Sequence, residues 1–249
     1  VQYRGTNILT DPHFSDRASP LSFTGPRRLV PLPIRIEQLP PIDYVVISHN
    51  HYDQLDEESV KALGTVPKWL VPLKLKATLV DWGIDTARVF ELDWWEQFSE
   101  AGLQITATPA HHWSARGLYD RNETLWSSWM VTMNGFRFWF AGDTAYNPIH
   151  FKEIGARFPA IDMALIPLGA YAPRWFMKNS HVTPEEAVII HREIASRRSF
   201  GMHWGTFQLT SEPMLEPPER LALAMDEASA DLAPFETLAI GETIQLSLP

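Results

Sequence analysis

The stretch that most constrains this chain is Ser48-His49-Asn50-His51-Tyr52-Asp53-Gln54-Leu55-Asp56, which follows the apolar run Tyr44-Val45-Val46-Ile47. A short continuous apolar run reads as a buried strand. Residues two apart on an extended strand end point the same way, so His49 and His51 can close on one cation. Asp53 and Gln54 then fall where the chain turns into a helix. That helix has Asp56 as its expected N-cap, Glu57 and Glu58 in its first turn and Gly64 as its stop. The plain alternative is a polar loop that carries two histidines. Two imidazoles and a carboxylate packed this closely after a hydrophobic strand favour a metal site.

Polar residues of the same kind recur at other strand ends. Leu103-Gln104-Ile105-Thr106-Ala107-Thr108 alternates like a strand and ends at Pro109-Ala110-His111-His112-Trp113. Neighbours on extended chain face opposite ways, so only one of the two histidines should point at a metal. The clearest hairpin runs through residues 125–133, turns at Asn134-Gly135 and returns along Phe136–Phe140. Asn-Gly is the preferred type I′ turn. The returning strand ends in Ala141-Gly142-Asp143-Thr144, where the glycine permits a tight turn that projects Asp143. His203 follows the strand-like Phe200-Gly201-Met202. His49, His51, Asp53, His112, Asp143 and His203 therefore all lie at or just past strand ends. Gathered on one rim, they form an N/O donor set suited to Zn²⁺, Mn²⁺ or Fe. With no cysteine in the chain, thiolate ligation is excluded.

The remaining segments fill in a single α/β domain over residues 1–249, without repeats or an evident linker. Arg4-Gly5 reads as a hairpin turn before Thr6–Thr10. That strand stops at Asp11-Pro12, where Asp11 is expected to cap a turn rather than orient a ligand. Residues 14–41 read as a long surface excursion carrying Arg17, Arg27, Arg28 and Arg35. Lys68–Pro72 and Val89–Leu92 read as strands, residues 74–82 as a helix, and Trp94 and Trp95 as packing residues. Residues 161–169 form a further buried strand. Thr183-Pro184-Glu185-Glu186 is a capping box with proline at N1, which opens a helix to about Ser196. A helix over residues 219–230 and a closing strand over 243–248 complete the expectation.

Composition narrows the partners. A net charge of −9 argues against nucleic acid, whose phosphates need clustered Lys and Arg, and against purely electrostatic docking on anionic lipid. No apolar run approaches the roughly 20 residues of a spanning helix. Val1 reads as mid-strand, so a preceding N-terminal segment is expected. The expected location is cytoplasmic, with peripheral contact at a membrane surface; the oligomeric state is left open.

The His-rich stretch resembles the His-x-His-x-Asp-His motif of the metallo-β-lactamase superfamily, with Gln54 where that family has its last histidine. Several stretches are similar to the N-acylphosphatidylethanolamine-hydrolysing phospholipase D family. They include Asn7-Ile8-Leu9-Thr10-Asp11-Pro12, His112-Trp113, Leu125-Trp126-Ser127-Ser128-Trp129, Ala141-Gly142-Asp143-Thr144, Pro173-Arg174-Trp175-Phe176-Met177 through His181, and Met202-His203-Trp204-Gly205-Thr206-Phe207. The resemblance implies an αββα sandwich. It implies a first metal on His49, His51 and His112, and a second on Asp53 and His203 with Asp143 bridging. Gln54, a weak or substituted ligand, is expected to weaken the second site. One or two Zn²⁺ ions are expected, with Mn²⁺ or Fe as substitutes.

The implied activity is a metal-dependent phosphodiesterase acting on N-acyl phosphatidylethanolamine or a related phospholipid. In it a metal-bound hydroxide attacks phosphorus, Asp53 orients the nucleophile and His181 sits at the phosphate. Tyr171, Arg174 and Trp175 are the implied substrate-binding residues. Two alternatives stand beside it: a sugar-phosphate lactonase of the ascorbate-6-phosphate lactonase type, and a non-catalytic metal- or lipid-binding module.

Overall fold

The computed structural model describes residues 1–246. Its first sheet takes β1 (Gln2–Tyr3), β2 (Thr6–Thr10), β3 (Tyr44–Val46), β4 (Lys68–Pro72) and β5 (Val89–Leu92) in that order. β1 and β2 form the hairpin expected at Arg4-Gly5, and β2 to β5 run parallel. The second sheet contains β6 (Gln97–Glu100), β7 (Leu103–Thr108), β8 (Ser128–Met133), β9 (Phe136–Phe140), β10 (Met163–Pro167), β11 (Ser199–Met202) and β12 (Phe235–Thr237). Its order is β12-β11-β10-β9-β8-β7-β6, antiparallel from β6 to β9 and parallel from β9 to β12.

The period of two along each strand decides what packs where. Val45, Ile47, Trp69, Val71 and Val89 share one core with Leu55, Val60 of α1 (Glu57–Leu63) and Leu79 of α2 (Lys76–Asp81). Their alternates Val46 and Leu70, with Ile8, turn into the layer between the sheets. There they meet Ile105, Trp129, Val131, Phe138 and Phe140 from the second sheet. The other face of that sheet, through Met130, Trp139, Ala164 and Ile166, packs on Phe151 of α3 (His150–Arg157). It also meets Ile190 of α5 (Pro184–Glu193) and Leu221 of α6 (Glu216–Asp226). A one-turn helix, α4 (Arg174–Met177), precedes α5. The result is the expected αββα sandwich. Strands covered on both faces account for the continuous apolar runs in the sequence.

The capping box is present: Thr183 Oγ1 accepts from Glu186 N at 3.3 Å, and the Glu186 carboxylate accepts from Thr183 N at 3.0 Å. Asp56, expected to cap α1, makes no such cap. Its carboxylate instead accepts from Phe14 N, Ser15 N and Ser15 Oγ, which ties the start of the 14–41 excursion to the helix. The expected closing strand is absent over residues 243–246, and its last two residues lie outside the described ones. β12, which reading by sequence missed, takes the sheet position instead, next to β11. Among the described residues no helix is long and apolar enough to cross a membrane.

Candidate metal centre

The ends of β3, β7, β9 and β11 open on one rim, and the loops that leave them carry the polar residues. Ser48 begins the construction. Its N–H donates to Asp11 Oδ1 at 2.7 Å, its hydroxyl donates to Asp11 Oδ2, and His49 Nδ1 donates to the same hydroxyl at 2.8 Å. With that proton on Nδ1, the lone pair of His49 Nε2 faces inward, 2.8 Å from His51 Nδ1. His112 Nδ1 donates to the carbonyl of Ser180 at 2.8 Å, so its Nε2 also presents a lone pair, 3.3 Å from His51 Nδ1. Gly142, at a φ of 60°, itself lies close against Ser48, where a Cβ would meet the Ser48 Cβ at 2.5 Å, and Asp143 follows it. Asp143 Oδ2 then stands 3.8 Å from His49 Nε2 and 3.9 Å from His112 Nε2. His49, His51, His112 and Asp143 thus offer four ligand atoms within 4.8 Å of one another.

This donor set fits a divalent cation. Burial, reinforced by the neighbouring imidazoles, holds His49 well below the usual histidine range and His112 at about 3, so both rings are neutral, the form that binds metal. Burial raises Asp143 to about 7, and Asp53 adds to that rise. Burial opposes charge on His203 as well, yet Asp143 and Asp53 hold it raised to about 9. Asp53 itself is lowered: burial pushes it up, but the His203 hydrogen bond and charge pull it down further. The rim therefore combines neutral nitrogen donors with buried carboxylates that demand positive charge.

The second half of the rim gathers Asp53, Gln54, Asp143 and His203. His203 Nε2 lies 3.1 Å from Asp53 Oδ2 and 3.3 Å from Asp143 Oδ1. Gln54 Nε2 donates to Asp53 Oδ2 at 3.2 Å and to Asp143 Oδ2 at 3.3 Å, so its amide lies between the two carboxylates. The further group of ligand atoms within 4.8 Å is Asp143, His181 and His203, without Asp53.

A model of the beta-lactamase superfamily domain matches residues 6–204. The chain is 44% identical over 260 residues to the N-acyl-phosphatidylethanolamine-hydrolyzing phospholipase D 1 of Caenorhabditis elegans, covering 99% of this chain and 73% of that protein. The chain belongs to the N-acyl-phosphatidylethanolamine-hydrolysing phospholipase D family of the beta-lactamase superfamily. The mitochondrial member of this phospholipase D family from Saccharomyces cerevisiae is 40% identical over 89% of the chain, which spans 48% of that protein. A metallo hydrolase of the archaeon Ignicoccus hospitalis shares the fold with a TM-score of 0.71 at 22% identity, covering 100% of this chain and 94% of that one.

Within this phospholipase D family fold, several expected roles change. Asp11 does not merely cap a turn. It anchors Ser48 and, through it, the ring of His49, the outer support that fixes a ligand's tautomer. Asp11→Asn is expected to weaken metal affinity about 10- to 100-fold while leaving the fold intact. Competition with a chelator, read beside the melting temperature, checks this. Tyr171 is buried, with its hydroxyl donating to Glu216 Oε1 at 2.6 Å and Arg220 stacked on its ring, so it is not a substrate-binding residue. Arg174 is also committed elsewhere, donating to both oxygens of Glu186 and to the carbonyl of His181 at 2.6 Å. Trp175 is free, 79% exposed beside Phe176 at 66%. Trp94 donates to the carbonyl of Trp126 at 2.7 Å, and Arg157 covers Trp95, which makes both packing residues.

Arg116 is the residue that sequence reading missed. Its guanidinium donates to the carbonyls of Asn50 at 3.1 Å and Leu55 at 2.7 Å, bracketing the histidine loop, while resting on the Tyr52 and Trp82 rings. Its only local signal is Asp120 four residues on, which accepts from Arg116 N and Gly117 N and closes the turn.

Proposed function

We propose that this chain is a zinc-dependent phosphodiesterase of the phospholipase D type, hydrolysing N-acyl phosphatidylethanolamine or a closely related glycerophospholipid. The observation that carries the proposal is the 44% identity to the worm phospholipase over 99% of the chain. The convergence of His49, His51, His112 and Asp143 on one point supports it.

Those four residues would hold the first cation. A divalent cation bound there would supply Lewis acidity, lowering the pKa of water and offsetting charge on phosphoryl oxygens. The chain's own groups do the rest. Asp53, held as a carboxylate by His203, would orient the attacking water. Water adds to phosphorus, the bond to the N-acylethanolamine oxygen breaks, and the proton given up by the water ends on that leaving oxygen, so the products are a phosphatidic acid and the N-acylethanolamine. Asp11, Ser48 and Ser180 hold the imidazoles in their working tautomers. Trp175 and Phe176, edge to face with ring centroids 5.7 Å apart on α4, are an apolar pair suited to acyl chains or the interface of a bilayer, which supports peripheral membrane contact.

A side-by-side assay tests the reading. Purified protein is expected to release N-acylethanolamine from N-acyl phosphatidylethanolamine in mixed micelles at least ~100-fold faster than it opens a β-lactam or a sugar-phosphate lactone. Faster lactone opening would replace the proposal with the lactonase reading. No turnover of any of the three by metal-loaded protein would favour a binding module.

A further inference from the structure

We infer that Arg28 is a phosphate-binding residue of the cavity beside the rim, and that this cavity takes the phosphatidyl side of the bond that is broken. The inference rests on the proposed phosphodiester substrate and names a residue that recognises it.

The cavity has a volume of about 320 Å³ and begins at the rim, where Asp53, Asp143 and His203 line it. Its apolar lining includes Phe140, Leu165 and Met202, which belong to the layer between the sheets. A space of this size suits a glycerophosphate group and the first carbons of its chains, with the rest of the chains outside. Among the described residues that line it, Arg28 alone carries a permanent positive charge, against three carboxyl groups, Asp11, Asp53 and Asp143.

Arg28 is built firmly into that wall. Its N–H donates to the carbonyl of Asp16 at 2.7 Å, it bridges to Phe207, and Leu29 N donates to the carbonyl of Thr206 at 2.8 Å. The 14–41 excursion is thereby joined to the loop that follows His203. The side chain is fixed as well. Its Nε donates to the carbonyl of Ser15 at 3.2 Å, and its Nη2 donates to the carbonyl of His13 at 2.6 Å and to His13 Nδ1 at 3.2 Å. The guanidinium also rests over the Phe207 ring, 5.0 Å from its centre. All of these partners are neutral, so they orient the charge without cancelling it. Nη1 has no partner among the described residues, and none of their carboxylates pairs with Arg28. Asp16 and Asp56 act on it only through space, and the Asp56 carboxylate is already taken by Phe14, Ser15 and Ser59. A half-buried guanidinium oriented by neutral groups, with one nitrogen unused, is a preformed site for a phosphoryl oxygen. The N-acylethanolamine half of the substrate offers it no charge, whereas the phosphatidyl half keeps its negative charge before and after cleavage.

Binding tests this without reference to turnover. Metal-loaded protein is titrated by calorimetry with dihexanoyl phosphatidic acid, with inorganic phosphate and with N-hexanoylethanolamine. The native chain is expected to bind the phosphatidate, and more tightly than inorganic phosphate, because the apolar lining adds to the charge. Arg28→Gln is expected to weaken phosphatidate binding ~10- to 100-fold with metal content unchanged. Arg28→Lys, which keeps the charge but not the planar fork, should fall between the two. Should the Arg28 variants fail to fold, Leu209→Glu sets a carboxylate in the same cavity without touching the contacts of Arg28, and should also weaken phosphatidate binding. Unchanged phosphatidate affinity in folded Arg28→Gln or in Leu209→Glu would overturn the inference. So would a loss of equal size for N-hexanoylethanolamine, which would mean that Arg28 only shapes the wall. Inorganic phosphate bound as tightly as the phosphatidate would make the cavity a free-phosphate site and overturn it too. Arg28-dependent phosphatidate binding by a protein that hydrolyses no lipid would sink the proposed function alone. Lipid hydrolysis with a KM indifferent to Arg28→Gln would sink this inference alone.

Discussion

His51→Ala is expected to lower kcat/KM on the preferred phosphodiester by more than the ~100-fold that loss of an outer supporting group costs. His51 is central to the first ligand group: its Nδ1 stands 2.8 Å from His49 Nε2 and 3.3 Å from His112 Nε2. Without it the group keeps His49, His112 and Asp143, and the last is shared with the opposite side of the rim. A catalytic zinc ordinarily has three protein ligands of its own, so retention should fail at chelator concentrations the native protein tolerates. His51 is half-buried and lies outside the three hydrophobic cores, so the melting temperature of metal-free protein should barely move. Chelation of the native protein should reproduce the variant, and added metal should restore only the native protein. Full turnover by His51→Ala with no metal bound would rule out metal-dependent hydrolysis.

Gly169→Ala should damage the protein as severely, through the backbone. A Cβ at residue 169 would collide with the carbonyl oxygen of His203 and crowd its carbonyl carbon at 3.3 Å. Neither side can yield easily. His203 sits at a φ of 58°, a left-handed conformation uncommon for a residue with a side chain and dependent on its surroundings. On the other side, the Glu212 carboxylate accepts from Ala170 N at 2.6 Å and Ala172 N at 3.1 Å, which pins the loop. The expected result is destabilisation by about 2–4 kcal/mol together with displacement of His203. One equivalent of metal should be lost, and turnover should fall at least ~100-fold. Thermal melting, metal content and kcat/KM, measured together, check it. A variant that keeps all three would mean the two loops slide apart at little cost.

How much of this was legible in the sequence follows from how local each signal is. The αββα layering was readable because alternation puts Val45 and Ile47 on one face and Val46 on the other, and the Asn134-Gly135 turn fixes its own hairpin. His49, His51, His112, Asp143 and His203 were readable as a gathering because each follows a strand. Contacts between segments distant in sequence were not. Asp11 meets Ser48 across 37 positions and Arg116 meets Asn50 across 66, and no local pattern encodes either. Tyr171 and Arg174 were misread for the same reason: their partners Glu216 and Glu186 lie on helices that pack against the loop only in the folded chain. β12 is three residues long and its neighbour in the sheet is 33 positions or more away, too short a run to show a period.

The rim joins the two layers, and that has a consequence for how the chain persists. His49 and His51 leave the five-stranded sheet, whereas His112 and Asp143 leave the seven-stranded one. An ion held by all four would do for this cysteine-free chain what a disulfide does elsewhere: it would cross-link segments from different halves of the polypeptide. Because the cross-link forms only in the folded state, free metal at 100 times its dissociation constant adds about 2.7 kcal/mol to the folding equilibrium. Metal supply thereby governs not only how fast the protein turns over substrate but how much of it escapes unfolding and proteolysis. Starvation for the ion should deplete the protein itself.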